Sequence, residues 1–142
     1  MRIVPVAERL GFTIAIEPEL VLFIETAAEY HEFKKTFFPK EAKIRMNCDM
    51  GYLFCVGEDP AQILRTMPGE VAHVHLEDIG SNRVHQHRTP GKGAIDFRAI
   101  FAALDEIGYA GWVTVELYPY ETTAAGVTRQ AFEYLTPLLN EA

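Results

Sequence analysis

Long apolar runs are missing from this chain. No stretch approaches the eighteen or so residues that a membrane-spanning helix requires. The opening MRIVPVAERLG carries an arginine at position 9 and no cleavable hydrophobic region, so neither a membrane span nor a signal peptide is expected, and the cytoplasm is the expected location. Cysteine is scarce: Cys48 and Cys55 are the two present, expected as reduced buried thiols rather than a disulfide. Positive charge is also in short supply. Thirteen Lys and Arg against twenty Asp and Glu leave a formal charge of −7, and the basic residues are scattered, which argues against a nucleic-acid partner because phosphate binding needs clustered Lys and Arg. Low-complexity segments and Ser/Gly linkers are absent. What is present, 142 residues at 49% hydrophobic and 23% charged, is the composition of one globular domain spanning 1–142 with a real core.

Short apolar runs alternate with helical patterns along that length. Strand-like FTIAIEP (12–18), KIRMNCD (43–49), EVAHVHLED (70–78) and GWVTVEL (111–117) are followed in turn by helix-like segments at 26–37, 60–67, 96–108 and 123–139. Strand–helix repeated four times predicts parallel βαβ units. Asp59-Pro60 and Asp96 are expected helix N-caps, and Gly108 the residue that closes the third helix. The one long irregular stretch is 79–94, with Gly80, Pro90, Gly91 and Gly93; a loop of that length in a compact domain usually serves function. Four of the five histidines fall within residues 71–97.

Read with a period of two, each strand is apolar on one face and increasingly polar toward its C-terminal end on the other. An open doubly wound sheet, covered by helices on both sides, would be apolar on both. One apolar face instead predicts an α/β fold of (β/α) TIM-barrel type, whose inward side carries active-site groups at the C-terminal rim. The inward residues at the four strand ends are Glu17, Asp49, His75 and Glu116. Three carboxylates and an imidazole meeting at one rim would repel without a cation, and a mostly oxygen set with one nitrogen suits Mn²⁺ or Mg²⁺, with Co²⁺ or Zn²⁺ also compatible. His73, two residues earlier on the same face, is expected to be packed and hydrogen-bonded deeper in the barrel.

IEPE (16–19), NCDMGYLF (47–54), HVHLED (73–78), PGKGAIDF (90–97) and GYAGWVTVELYP (108–119) resemble the sugar phosphate isomerase/epimerase family with the xylose-isomerase-like TIM barrel. Intervals of 32, 26 and 41 residues separate Glu17, Asp49, His75 and Glu116, close to those of the metal ligands in the family's ketose 3-epimerase members. The resemblance implies that Glu17 and Glu116 also lie on opposite sides of the substrate as acid and base. It covers only the last four βα units of an eight-unit barrel, so a half barrel is expected: a fragment of a longer protein, or a half completed by a second copy or a partner half barrel. Tyr52 stands where the family often has a substrate-contacting histidine.

Tyr52, Arg83, His85 and His87 are the candidate substrate-binding residues, with Arg83 or Arg88 binding a hydroxyl, carboxylate or phosphate and the glycine-rich turn at 91–93 a candidate anion cradle. The expected activity is isomerisation or epimerisation of a small polyhydroxy carbonyl compound or sugar phosphate, through an enediolate formed when one glutamate removes a proton that the other returns. Related barrels also include dehydratases and lyases that use the same enediolate chemistry, which the sequence does not separate from an epimerase, and two alternatives of other kinds stay open. One is a metal-dependent hydrolase of AP-endonuclease type; the other is a catalytically incomplete half barrel that serves assembly or binding.

Overall fold

The computed structural model of the protein describes residues 3–118 and 120–141. Its elements run α1 (Ile3–Leu10), β1 (Ile14–Ile16), α2 (Ala27–Phe37), β2 (Ile44–Asp49), α3 (Met50–Cys55), α4 (Pro60–Arg65), β3 (Val71–Leu76), α5 (Phe97–Glu106), β4 (Val113–Val115) and α6 (Ala124–Leu139). All four expected strands form, and they pair in parallel in the order β1-β2-β3-β4. This is half of a (β/α) barrel. The central strands β2 and β3 run for six residues each, whereas β1 and β4 are reduced to three, shorter than their apolar patterns. Among the described residues each outer strand has one neighbour, so only one row of its backbone groups is paired.

Local chemistry sets the helix ends. Thr26 and Glu29 form a reciprocal capping box at the start of α2. Asp59 accepts from the Gln62 N–H at 3.1 Å with Pro60 in the first helical position, and Asp96 accepts from the Ala99 N–H at 3.0 Å. Gly108, at φ +65°, takes the left-handed conformation that ends α5. The short helix α3 is not foreshadowed by any apolar periodicity. It starts because the Asp49 carboxylate, at the very end of β2, accepts from the Tyr52 N–H at 2.7 Å.

The outward face of the sheet makes the core. Met46, Cys48, Val74 and Leu76 are fully buried against Tyr30, Leu64, Ile100 and Phe101 from the helices. A register shift between Met46 and Asn47 pairs Met46 with Val71 and Asn47 with His73. Val71 thereby joins the helix-facing core, although alternation alone would place it on the inward side. Beyond the shift, Asp49 lies beside His75, and His75 beside Thr114, so the inward residues reach the rim at one level. Both cysteines are free; Cys48 is buried as expected, and burial raises its thiol to about 12, whereas Cys55 is only half-buried. No helix among the described residues is long and apolar enough to cross a membrane.

Candidate metal centre

The C-terminal ends of the strands bring Glu17, Asp49, His75 and Glu116 together. Glu17 and Glu116 directly follow β1 and β4, Asp49 ends β2, and His75 is the penultimate residue of β3. His75 Nδ1 lies 3.0 Å from Glu17 Oε1, 3.4 Å from Glu116 Oε2 and 3.9 Å from Asp49 Oδ2. The side-chain amide of Asn47 is 3.5 Å from the same nitrogen. One ring nitrogen carries at most one hydrogen, so it cannot satisfy three carboxylates.

The unmet demand is visible atom by atom. Asp49 Oδ1 caps α3, but its Oδ2 is buried without a hydrogen-bond partner. Glu17 Oε1 is likewise buried and, although 3.0 Å from His75, lies outside hydrogen-bonding geometry. Burial is the largest influence raising the Glu17 carboxyl above its usual range; the charges of Asp49 and Glu116 raise it further, and His75 opposes them. One ligand atom each from Glu17, Asp49 and His75 falls within 4.8 Å of the others. Two orphaned carboxylate oxygens and an imidazole nitrogen at that spacing fit a divalent cation, which would satisfy all three at once. Glu116 borders this trio through its 3.4 Å approach to His75. His73 sits one layer deeper, hydrogen-bonded to the Thr114 hydroxyl at 2.8 Å; burial lowers its pKa, with a smaller effect from His75.

Of the four residues proposed from sequence to face a substrate, the structure gathers three. The Tyr52 ring stacks on His85 at 4.3 Å and 21°, while its hydroxyl donates to Glu19 Oε1 at 2.9 Å. Burial and the bond to Glu19 push the Tyr52 phenol upward. His85 Nε2 lies 2.9 Å from His87 Nε2. Arg83 sits elsewhere: its guanidinium donates to the Phe54 carbonyl and lies 4.2 Å above the Phe54 ring.

The glycine-rich turn is already filled by an anion from the chain itself. Asp78, almost wholly buried, accepts through Oδ1 from the Ile79 and Ile95 N–H groups at 2.9 and 3.1 Å, and through Oδ2 from Gly91 and Gly93 at 2.9 and 2.7 Å. A Cβ at Gly93 would lie 2.2 Å from that carboxylate. The turn therefore does not present the open cradle that its glycines suggested. Pro119, the last residue of the GYAGWVTVELYP motif, lies outside the described residues.

Three further residues were not singled out from sequence. Glu19 anchors Tyr52, Asn47 approaches His75, and Glu77 is fully buried with its carboxyl against that of Asp49. Burial is the main cause that pushes Glu77 up to about 10, with Asp49 adding to it. The signal for Glu77 was available: it continues the alternation 73, 75, 77 along the inward face.

A sequence model of the xylose isomerase-like TIM barrel family matches residues 1–138. The inosose dehydratase of Geobacillus thermodenitrificans (strain NG80-2) is 30% identical over 131 residues, covering 81% of this chain and 43% of that protein. Among solved structures, an L-ribulose 3-epimerase superposes with a TM-score of 0.78 at 22% identity, over 99% of this chain and 51% of that one. The IolI protein with a bound zinc atom gives 0.76 at 24% identity, over 96% and 52%. At these identities the structural likenesses establish the fold. The chain spans about half the length of the proteins it matches.

Proposed function

The chain belongs to the xylose isomerase-like TIM barrel family, and we propose that it carries the metal-dependent proton-transfer site of an isomerase or epimerase acting on a small polyhydroxy carbonyl compound or sugar phosphate. The observation that carries this reading is the convergence of three carboxylates on one imidazole nitrogen at the rim. Glu17, Asp49, His75 and Glu116 would hold the ion, with Mn²⁺ or Mg²⁺ favoured by the three carboxylates and Zn²⁺ or Co²⁺ compatible with the histidine. When bound, such an ion supplies Lewis-acid polarisation of a substrate carbonyl and its neighbouring hydroxyl, which acidifies the C–H between them.

The remaining work belongs to side chains. Glu17 and Glu116 approach His75 from the two outer strands of the sheet, so a substrate seated at the rim has a carboxylate on either flank. One takes the proton from carbon, leaving an enediolate, and the other returns a proton to the opposite face or the adjacent carbon. The Tyr52–His85 stack supplies a flat wall against which a sugar's C–H face can pack, and His87 Nε2 lies beside it for a hydroxyl.

A second reading is supported by the relationship to inosose dehydratase. The same proton removal, followed by expulsion of the hydroxyl on the next carbon as water, is a dehydration. Incubating the chain with Mn²⁺ and a panel of ketohexoses and inososes in D₂O separates the two by NMR and mass spectrometry. Epimerisation or isomerisation gives deuterium on carbon at unchanged composition, whereas dehydration gives a product lighter by one water. Glu17→Gln and Glu116→Gln should each lower exchange by about 10²–10⁴-fold. Full exchange in both variants would exclude the two-glutamate mechanism.

A further inference from the structure

The fold withdraws Arg83 from the rim, and it does so against a local cost. The Arg83 backbone takes φ +56°, a left-handed conformation that disfavours residues with a Cβ. A strained residue of this kind persists only where its surroundings hold it.

The base of the 79–94 loop does not supply that hold. An antiparallel bridge between Asp78 and Arg88, with backbone hydrogen bonds of 2.9 and 2.7 Å, closes the base. Residues 80–87 project beyond the bridge as a tip, which turns at 80–83 where the Arg83 N–H donates to the Gly80 carbonyl at 2.9 Å. The hold comes from α3. The Arg83 guanidinium donates to the Phe54 carbonyl in the last turn of that helix and lies 4.2 Å from the centre of the Phe54 ring, so a hydrogen bond and a cation–π contact act on one side chain.

Two residues further along the tip, His85 stacks on Tyr52, which stands two residues before Phe54. Tip and helix therefore meet at two matched points, 83 on 54 and 85 on 52. On the far side of the tip, His87 is tied to the segment after β4: its Nδ1 lies 3.3 Å from the Glu116 carbonyl oxygen, and the Tyr120 hydroxyl donates to the His87 carbonyl at 3.3 Å. Because Asp49 caps the start of α3, the grip on its other end sets the tip relative to the proposed metal centre.

We propose that Arg83 is a positioning residue: by latching the loop tip to the end of α3 it holds His85 against Tyr52, and release of the latch opens that wall of the rim. With its guanidinium committed to Phe54, Arg83 acts through these two rings. The contact of the wall with a substrate rests on the proposed function; the latch does not.

Arg83→Gly tests this, because glycine relieves the left-handed strain and removes the latch together. In the full chain the urea midpoint should stay unchanged, while amides 84–87 exchange with D₂O about tenfold or more faster by mass spectrometry. The His85 ring protons, shifted upfield in the wild type by the stacked Tyr52 ring, should move toward free-histidine values in the NMR spectrum. Arg83→Lys, which keeps a cation and a donor, should restore part of that shift. For any substrate that the wild type turns over, Arg83→Gly should raise KM more than it lowers kcat, since the substrate must then close the tip itself. Hydrogen exchange and the His85 shift need no substrate, so they decide the latch even if the proposed reaction fails. Unchanged exchange and an unchanged His85 shift in Arg83→Gly would overturn it. So would a lowered urea midpoint with faster exchange throughout the chain, which would make Arg83 a residue of the fold alone.

Discussion

Glu77 and Asp78 are neighbouring acids at the same depth, yet they belong to regions built on opposite rules. Asp78 turns toward the loop, where four backbone N–H groups converge on its two oxygens. Glu77 turns toward the rim, where burial and the neighbouring Asp49 carboxylate, to which its carboxyl is hydrogen-bonded, hold it well above the usual carboxylate range. The first carboxylate is solvated by the chain and serves the fold. The second meets only another acid, and Glu17 Oε1 nearby has no hydrogen-bond partner. Unmet polar demand in a folded protein points to a ligand, whereas met demand points to architecture.

Substitutions at the two acids should therefore differ in sign as well as size. Asp78→Ala strands four N–H groups and should lose about 3–5 kcal/mol in urea unfolding; a loss below 1 kcal/mol would mean that the loop does not depend on this carboxylate. Gly51→Ala drives a methyl group into Glu77 and should lose about 1–3 kcal/mol, most of it recovered in the double variant with Glu77→Ala. Additive effects in that cycle would place the strain elsewhere. Glu77→Met, measured without metal, should gain about 1 kcal/mol because it replaces a buried acid crowded by the Asp49 carboxylate by an apolar chain of similar length. A clear loss there would show that the contact with Asp49 stabilises the fold. Tyr52→Phe removes the hydrogen bond to Glu19 but keeps the stack on His85, and should shift stability by about 1 kcal/mol or less; a larger effect would assign Tyr52 to the fold rather than to the rim wall.

Much of this architecture was legible before any coordinates. Alternation along FTIAIEP and EVAHVHLED separated a helix-facing side from a polar one, and Asp59, Asp96 and Gly108 marked helix ends, because these signals act within one turn or one strand. The convergence of Glu17, Asp49, His75 and Glu116 followed from parallel strands all ending at one rim. Other features escaped. The α3 helix depends on a single cap from Asp49, a residue that reads equally well as a ligand. Val71 changed sides through a register shift that no alternation pattern records. The glycines at 91 and 93 signalled an anion correctly, but not that the anion was Asp78, thirteen and fifteen residues earlier in the chain.

The order of elements, the apolar side of each strand and the residue types available at each strand end are properties of the linear sequence, because periodicity and capping are local. Which of those side chains find partners is not. Glu77 and Asp78 have nearly the same chemistry and adjacent positions, and only the folded loop, by bringing four N–H groups to one and two imidazoles to the other, decides what each can do.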